Sequence, residues 1–519
     1  MTAAPLRWPA DAPGRHADPE EGLAVRVLEA LLREDYGGLR GLVDGTGLRL
    51  PGGRTVPLTP VRPGFLADVR VDAGAGLRLE DVFAVVRTLA DPRDDVAGFE
   101  RECRECLDTL RLHEDARPEV LRRLRDAPAP GPGTFYETLA AFTDHPVYPT
   151  GRCRAGLDED DLRRYAPEFA PTFAMRWTAV PRERVTSAGR RPAWWPAAPD
   201  EGHELFPVHP LTRGHTLAPA PSLEVRPTLS MRTVAVDALT HLKVPLPTST
   251  LGLRNRRSIA PRTLHDGALA ERLLRRVLDD EPHLPILAAD EQTYGHAGDP
   301  YLGFLVRRFP PVTLDAHVVP VAALLAEHPD GGRVIERWDV PALFGEYLTA
   351  LFTWNVALFR RGIALEAHQQ NVALVLDGPG GVGGPLRLLI KDNDGMLVLG
   401  DLRDPGFEDR RMVTDDPEAL ARVFVTITLH LCAGALAFGL AEHGLLPLRT
   451  GLALVGERLD AALGPQDAFL RSRTLDARRL PGKAMLTAGT LVDKARTGAH
   501  DINKHYGPDG PNYLDYPRD

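Results

Sequence analysis

Cysteine is scarce: the 519 residues hold four, Cys103, Cys106, Cys153 and Cys432. So few thiols exclude a secreted, disulfide-stapled scaffold. Cys103 and Cys106 form a lone CxxC with no second ligand pair nearby, so they read as helix cysteines and not as a zinc site. The polar, proline-rich N-terminus lacks the apolar core of a secretory leader, which makes the cytoplasm the default compartment. Positive charge is in deficit too. A formal net charge of −9 argues against a nucleic-acid partner but leaves room for a local basic pocket around a small anion. No GxxxxGK[ST] loop occurs, so a Walker-type phosphate site is not expected. Val423 to Ala441 carries no charged side chain over nineteen residues, close to membrane-spanning length. Its Thr426, Thr428, His430, Gly434 and Gly439 favour a buried core helix, and no membrane partner is expected.

What is present is the composition of an ordinary globular protein, 43% apolar and 26% charged. The length suits two to four domains or one multi-lobed catalytic unit. Asp18-Pro19 opens a helix whose apolar face is Leu23, Val27, Leu28, Leu31 and Leu32. Glycine-punctuated runs from Leu42 to Val71 predict hairpins, and helical patterns from about 78 to 125 complete a mixed opening lobe. Ala127 to Gly133 is the clearest hinge. Thr134 with Glu137 predicts a capping box on a short helix ending before Asp144. From His145 to about Arg308 strand-like pieces alternate, among them Thr172 to Val180 and Ser230 to Val236. Pro341 to Arg361 reads as a helix closed by Gly362. The chain is then mostly helical from Asp416 to about Arg496, and the last twenty residues read as loosely ordered.

The chemistry concentrates in two places. Glu366-Ala367-His368-Gln369-Gln370-Asn371 leads into the apolar run Val372 to Leu376, and Leu386 to Ile390 leads into Lys391-Asp392-Asn393-Asp394-Gly395. With the glycine-rich Gly378 to Pro385 between them, the two runs predict an antiparallel hairpin that brings Asn371 and Asp392 to one end. Glu366, Asn371 and Asp392 are hard oxygen donors suited to Mg²⁺ and a nucleotide's phosphates, with His368 among them. An extended 366 to 370 would put Asn371 on the wrong face, so a kink near Gln370 is required. A polar strand end with an incidental histidine would look the same in isolation. The second place is Ser230-Met231-Arg232-Thr233, followed by Lys243, Thr248-Ser249-Thr250, Arg254, Arg256 and Arg257. Hydroxyls and cations on paired strands make a cradle for a triphosphate, although a solvated basic rim has the same composition.

Taken together and in order, these residues resemble the NRPS-independent siderophore synthetases, the aerobactin-synthetase-like IucA/IucC family, over roughly residues 135 to 519. The family's E-A-H-x-Q-N block is Glu366 to Asn371, its S-x-R-T strand is Ser230 to Thr233, and its phosphate lysine matches Lys243. Its histidine-proline elements match His145-Pro146 and His209-Pro210, and Tyr165-Ala166-Pro167-Glu168-Phe169 follows the first. Tyr148 and Arg152 stand where the family has histidine and lysine, Lys391 replaces an arginine, and Leu211-Thr212 replaces tryptophan-glutamine.

The resemblance implies a mixed α/β, three-lobed cupped-hand fold with antiparallel sheets: a thumb-like lobe over 1–133, a fingers lobe over 134–335 and a palm over 336–519. It implies an AMP-forming ligase with ATP as co-substrate and Mg²⁺ as cofactor. A carboxylic acid, citrate-like or another polyacid, would be adenylated and joined to an amine or alcohol in siderophore or metallophore biosynthesis. His368, Arg232 and Lys243 would be catalytic. Ser230, Arg232, Thr233, Lys243, His145 and either Arg254 or Arg257 would bind ATP. His368, Gln370, Thr250 and Arg307 would meet the acyl substrate, and Glu366, Asn371 and Asp392 the metal. The family also allows a homodimer.

Two rivals fit less well. A kinase-like phosphotransferase is echoed by His368-x-x-Asn371 and Asp392-x-Asp394-Gly395, but it needs an aspartate where Gln370 stands. A ferric-siderophore binding or reducing protein with an iron-sulfur centre needs about four cysteines close together, and the C-terminal half holds only Cys432.

Overall fold

The computed structural model describes residues 18–45, 47–51, 53–72, 74–126, 133–376, 386–400, 406–497 and 505–516. Most of the expected hinge before Gly133 and the glycine-rich turn after Leu376 lie outside these residues.

Helix Pro19–Arg33 starts where the Glu20 amide donates to the Asp18 side chain at 3.0 Å, with proline in the first turn. Its Leu23, Val27, Leu28 and Leu31 are buried, as the 3.6-residue spacing predicts. An antiparallel four-stranded sheet follows, Val43–Asp44, Gly47–Arg49, Thr55–Pro60 and Val69–Val71, and then helices Leu79–Leu89 and Val96–Asp126. Cys103 and Cys106 are buried inside the second of these, with no disulfide.

The middle of the chain builds an eight-stranded antiparallel sheet. Its strands run in the order Thr186–Ala188, Asp290–His296, Gly303–Arg308, Thr240–Lys243, Thr233–Ala235, Leu223–Pro227, Phe173–Pro181, His203–Val208. Pairing of Leu242 with Val234 and Val306 sends those three into one apolar core. The alternation of a strand then sends Thr233, Lys243, His241 and Arg307 to the opposite face. Ser230 to Arg232 does not extend the strand. It forms a turn with Met231 at φ 62°, in which the Thr233 amide donates to Ser230 Oγ at 3.1 Å.

A second sheet contains the expected hairpin. Val372–Leu376 pairs antiparallel with Arg387–Ile390 in the register Val372 to Ile390. Ile286–Ala288 and His317–Pro320 add an outer strand on each side, so two strands of this sheet come from before residue 336. Helix Val340–Arg360 begins where Asp339 accepts from the Ala342 amide at 2.8 Å.

The apolar run after Pro417 is helical as expected, with its centre, Phe424–Gly434, wound as a π-helix and buried throughout. Val340–Arg360 and Pro417–Glu442 are long and apolar enough to cross a membrane, yet 72% and 83% of their apolar windows lie inside the protein.

Two local expectations are corrected. Helix Phe135–Ala141 starts at Thr134 without a side-chain cap, because Glu137 turns away to bind Lys391 Nζ at 2.7 Å and the Leu229 amide at 3.0 Å. The chain end is not loose over 505–516: Gly510–Pro511 pairs with Arg479–Leu480, Asn512 caps a short turn, and Tyr513 is fully buried.

Candidate active site

The segment Glu366 to Asn371 has the bend that its sequence required. The His368 carbonyl accepts from the Asn371 amide at 2.8 Å and the Val372 amide at 3.2 Å, closing a turn before the strand. Across the hairpin the Lys391 amide donates to the Asn371 carbonyl at 3.1 Å. Asp392 then adopts a left-handed conformation, φ 65°, which a side-chain-bearing residue keeps only when its surroundings impose it. Glu291 imposes it: Oε1 accepts from the Asp392 amide at 2.8 Å and from Arg307 Nε at 2.5 Å. Three positions on, a Cβ at Gly395 would stand 2.7 Å from Glu366 Oε2, so glycine is required for the two loops to approach.

These loops face the turn of the large sheet across a cavity of about 280 Å³. Its wall includes Glu366, His368, Gln370, Asn371, Asp392 and Asp394 from the hairpin end. Ser230, Arg232, Thr250 and Arg257 come from the basic cluster, and His145 from the segment after the first short helix. Of the expected site residues, these ten and Asp394 meet; four others do not reach the wall. Lys243 lies one layer behind, its ammonium 2.5 Å from Asp392 Oδ1 and 3.1 Å from Asp394 Oδ2. Thr233 is buried in the strand. Arg254 is spent elsewhere, donating to the carbonyls of Ala488 at 3.0 Å and Val492 at 2.5 Å. Arg307 is no clamp at the cavity wall. It is buried against Glu291, with Nη2 3.2 Å from Asp392 Oδ1.

The electrostatics follow from this layering. Burial alone would raise the Asp392 carboxyl, but Lys243, Arg307 and Arg232 hold it far below the ordinary carboxylate range. Arg257 is the opposite case. Burial, together with Arg232 and Arg154, lowers its guanidinium to about 9, and its Nε has no hydrogen-bond partner. Excess positive charge beside an unsatisfied buried donor is the signature of a site for an anion. Among the described residues the Arg232 guanidinium makes one hydrogen bond, from Nη1 to the Ser258 carbonyl at 2.7 Å.

The two histidines are neutral. His145 is depressed to about 3 and His368 to about 4, chiefly by burial. The amides of Val147 and Tyr148 donate to His145 Nδ1, and the Gln370 amide donates to His368 Nδ1. Each imidazole therefore carries its proton on Nε2.

One wall residue and several groups behind the wall carried no signal in the sequence. Lys483 arrives from the C-terminal segment, close enough to act electrostatically on both His145 and His368. A lone lysine after glycine is indistinguishable from a surface lysine until the chain folds. Its segment is tied down by Glu34, which accepts from the Leu486 amide at 3.1 Å and the Thr487 amide at 2.8 Å. Gly252 lies against Gly489 so closely that a Cβ would stand 2.6 Å from its backbone, which sets the loop bearing Thr250 and Arg257 on this segment. Glu291 and the Glu137–Lys391 pair were likewise invisible. Lys391 faces Glu137 and not the cavity, so its replacement of an arginine changes a support behind the site.

This architecture is that of the aerobactin synthetases. The structure of IucC from Klebsiella pneumoniae superposes with a TM-score of 0.71 at 17% identity, covering 96% of this chain and 98% of that one. ATP-bound IucA from the same organism gives 0.68 at 18% identity, covering 96% and 99%. The family described as IucA / IucC matches residues 133–326. The family described as ferric iron reductase FhuF-like transporter matches residues 342–499. Aerobactin synthase of Escherichia coli is 28% identical over 323 residues, which span 50% of this chain and 55% of that enzyme.

Proposed function

We propose that this protein is an AMP-forming siderophore synthetase that adenylates a carboxylic acid and joins the acyl group to an amine or alcohol. One observation carries the reading: arginines, neutral histidines and carboxylates from three separate stretches converge on one small cavity. In the first step a carboxylate oxygen attacks the α-phosphorus of ATP, and the bond to pyrophosphate breaks. In the second, the nucleophile's nitrogen or oxygen attacks the acyl carbon, the acyl–phosphate oxygen bond breaks, and AMP leaves while the nucleophile gives up a proton.

Arg232 and Arg257 would take the phosphate charge, with Ser230 supplying a hydroxyl. Phosphate oxygens would compete with Asp392 and Asp394 for the Lys243 ammonium, drawing it forward as charge accumulates on the leaving pyrophosphate. The Nε2–H groups of His145 and His368 are hydrogen-bond donors without net charge, fitted to orient the acyl phosphate and the carboxylic acid respectively. Thr250 and Gln370 would complete the acyl pocket.

Glu366, Asn371 and Asp392 offer oxygen donors suited to Mg²⁺. Among the described residues, both cation contacts of Asp392 fall on Oδ1. Among the described residues no three His, Cys, Asp or Glu side chains cluster as a metal site, which fits an ion sharing its coordination with phosphates. Bound there, the ion would neutralise phosphate charge. The same reading includes lobes over 1–133, 134–335 and 336–519, a homodimer and a cytoplasmic location.

The FhuF-like match does not favour a reductase of the iron-sulfur type, because residues 342–499 contain Cys432 as their single cysteine. The test is to screen carboxylic acids for ATP–pyrophosphate exchange and for hydroxamate release with hydroxylamine. AMP and pyrophosphate are the expected products; ADP would establish a phosphotransferase instead.

A further inference from the structure

The two loops that face each other across the small cavity belong to different sheets, and one carboxylate behind the wall holds both. Leu229, the residue before Ser230, lies in the turn between strands Leu223–Pro227 and Thr233–Ala235 of the eight-stranded sheet. Lys391, the residue before Asp392, directly follows strand Arg387–Ile390 of the second sheet. Glu137 Oε2 accepts from the Leu229 amide at 3.0 Å, and its Oε1 accepts from Lys391 Nζ at 2.7 Å. Both ends of the ion pair are buried, Glu137 at 5% and Lys391 at 6% exposure, and neither belongs to the cavity wall, although Ala140 and Ala141 of the same short helix do. Lys243 also joins the large sheet to the hairpin end, through Asp392 and Asp394. Those two aspartates line the cavity, where an entering anion would compete for the ammonium. Glu137 stands outside that competition, with one oxygen committed to each loop.

We propose that Glu137 is a positioning residue for adenylation: it fixes the distance between the turn carrying Ser230 and Arg232 and the hairpin end carrying Asp392 while ligands displace the ion pairs of the cleft itself. Its carboxylate form is needed because Lys391 is buried and a neutral partner would leave its charge unmatched. This rests on reading the small cavity as the site of ATP. An ion pair that served the fold alone would matter for stability and leave the chemistry untouched. Replacing both members of a buried pair by neutral groups of similar volume can restore stability, so the two roles can be separated.

The test compares the intact wild-type chain with the double variant Glu137→Gln, Lys391→Met, which removes both charges and breaks the link between the loops. Urea midpoints, ATP binding by calorimetry and pyrophosphate exchange with the acid found active in the screen are measured on each. The double variant is expected to unfold near the wild-type midpoint and to exchange about 10²-fold more slowly, the cost of a misplacement of about 1 Å, with the KM for the acid little changed. Lys391→Arg keeps a cation for Glu137 and should keep exchange close to wild type. Wild-type exchange in the double variant overturns the proposal. So does a double variant that fails to fold, which would make the pair a determinant of the fold, and so does a loss in Lys391→Arg as deep as in the double variant. A wild type that neither binds ATP nor exchanges pyrophosphate removes the synthetase reading and this role with it, whereas exchange that survives in the double variant removes only the role of Glu137.

Discussion

Two buried carboxylates, Asp392 in the small cavity and Glu102 on the long helix Val96–Asp126, meet burial with different neighbours. Glu102 accepts from Tyr148 Oη at 2.8 Å, Thr150 Oγ1 at 2.6 Å and the Thr490 hydroxyl, and burial raises its carboxyl above the ordinary range. Asp392 has Lys243 and Arg307 against one oxygen and is driven the other way. The contrast shows how the protein allots its cations. Neutral hydroxyls are enough to seat a carboxyl that only holds the C-terminal segment in place. At the small cavity, arginine and lysine are packed directly against aspartate and glutamate.

Breaking the charged side should have the largest effect. Asp392→Ala leaves Lys243 and Arg307 without their shared anion, and removing one partner of a buried pair costs about 3–5 kcal/mol. Urea midpoints at pH 7 should fall accordingly, and pyrophosphate exchange should be lost; a variant equal to wild type in both would return Asp392 to a passive role.

Lys243→Ala and Arg232→Ala come next. Loss of one preorganised contact to transition-state charge costs about 2.7–4 kcal/mol, so exchange rates should fall roughly 10²–10³-fold while circular dichroism is unchanged.

His368→Ala should raise the KM for the carboxylic acid about tenfold or more, the loss of one hydrogen bond to a charged group at about 1.5–3 kcal/mol. Nucleotide affinity by calorimetry should change much less; a collapse of ATP binding with normal acid dependence would assign His368 to the other half of the site.

Arg254 and Arg257 can be told apart. Arg257→Ala should weaken ATP binding, whereas Arg254→Ala should lower thermal stability by about 1 kcal/mol per carbonyl contact and leave ATP binding in place.

The smallest effect belongs to the neutral side of the comparison. Glu102→Gln keeps the shape and should cost less than about 1 kcal/mol. A folded-state pKa raised above 4.5 gives wild type its full stabilisation below that pH and removes it as pH rises through the raised value. The glutamine variant should therefore gain on wild type between pH 4.5 and 8. An unchanged gap across that range would mean that Glu102 titrates as an ordinary surface acid.

Local patterns carried much of this in advance. The spacing of Leu23, Val27, Leu28 and Leu31, the Asp-Pro start, and the apolar runs on either side of the glycine-rich turn identify elements through interactions a few residues long. The order of the Ser230, Lys243, Glu366 and Asp392 motifs identifies the class. Local rules misled at Thr134, where a capping box was available but Glu137 found a stronger partner in Lys391, 254 positions away. They misled again at the chain end, where Tyr513 is held by packing that no tail residue could reveal.

Layering was beyond such reading. A motif says that Lys243, Arg254, Arg257 and Arg307 are cations, but which of them faces the cavity depends on what stands between. Glu291 claims Arg307, the carbonyls of Ala488 and Val492 claim Arg254, and Asp392 and Asp394 hold Lys243 back. Lys483 enters because Glu34 and Gly252 anchor a segment more than two hundred residues downstream. Residue type and periodicity act over a few positions, so they settle helices, strands and candidate chemistry. Electrostatic partnership is set by distance in space, and it became definite only when folding brought these remote groups together.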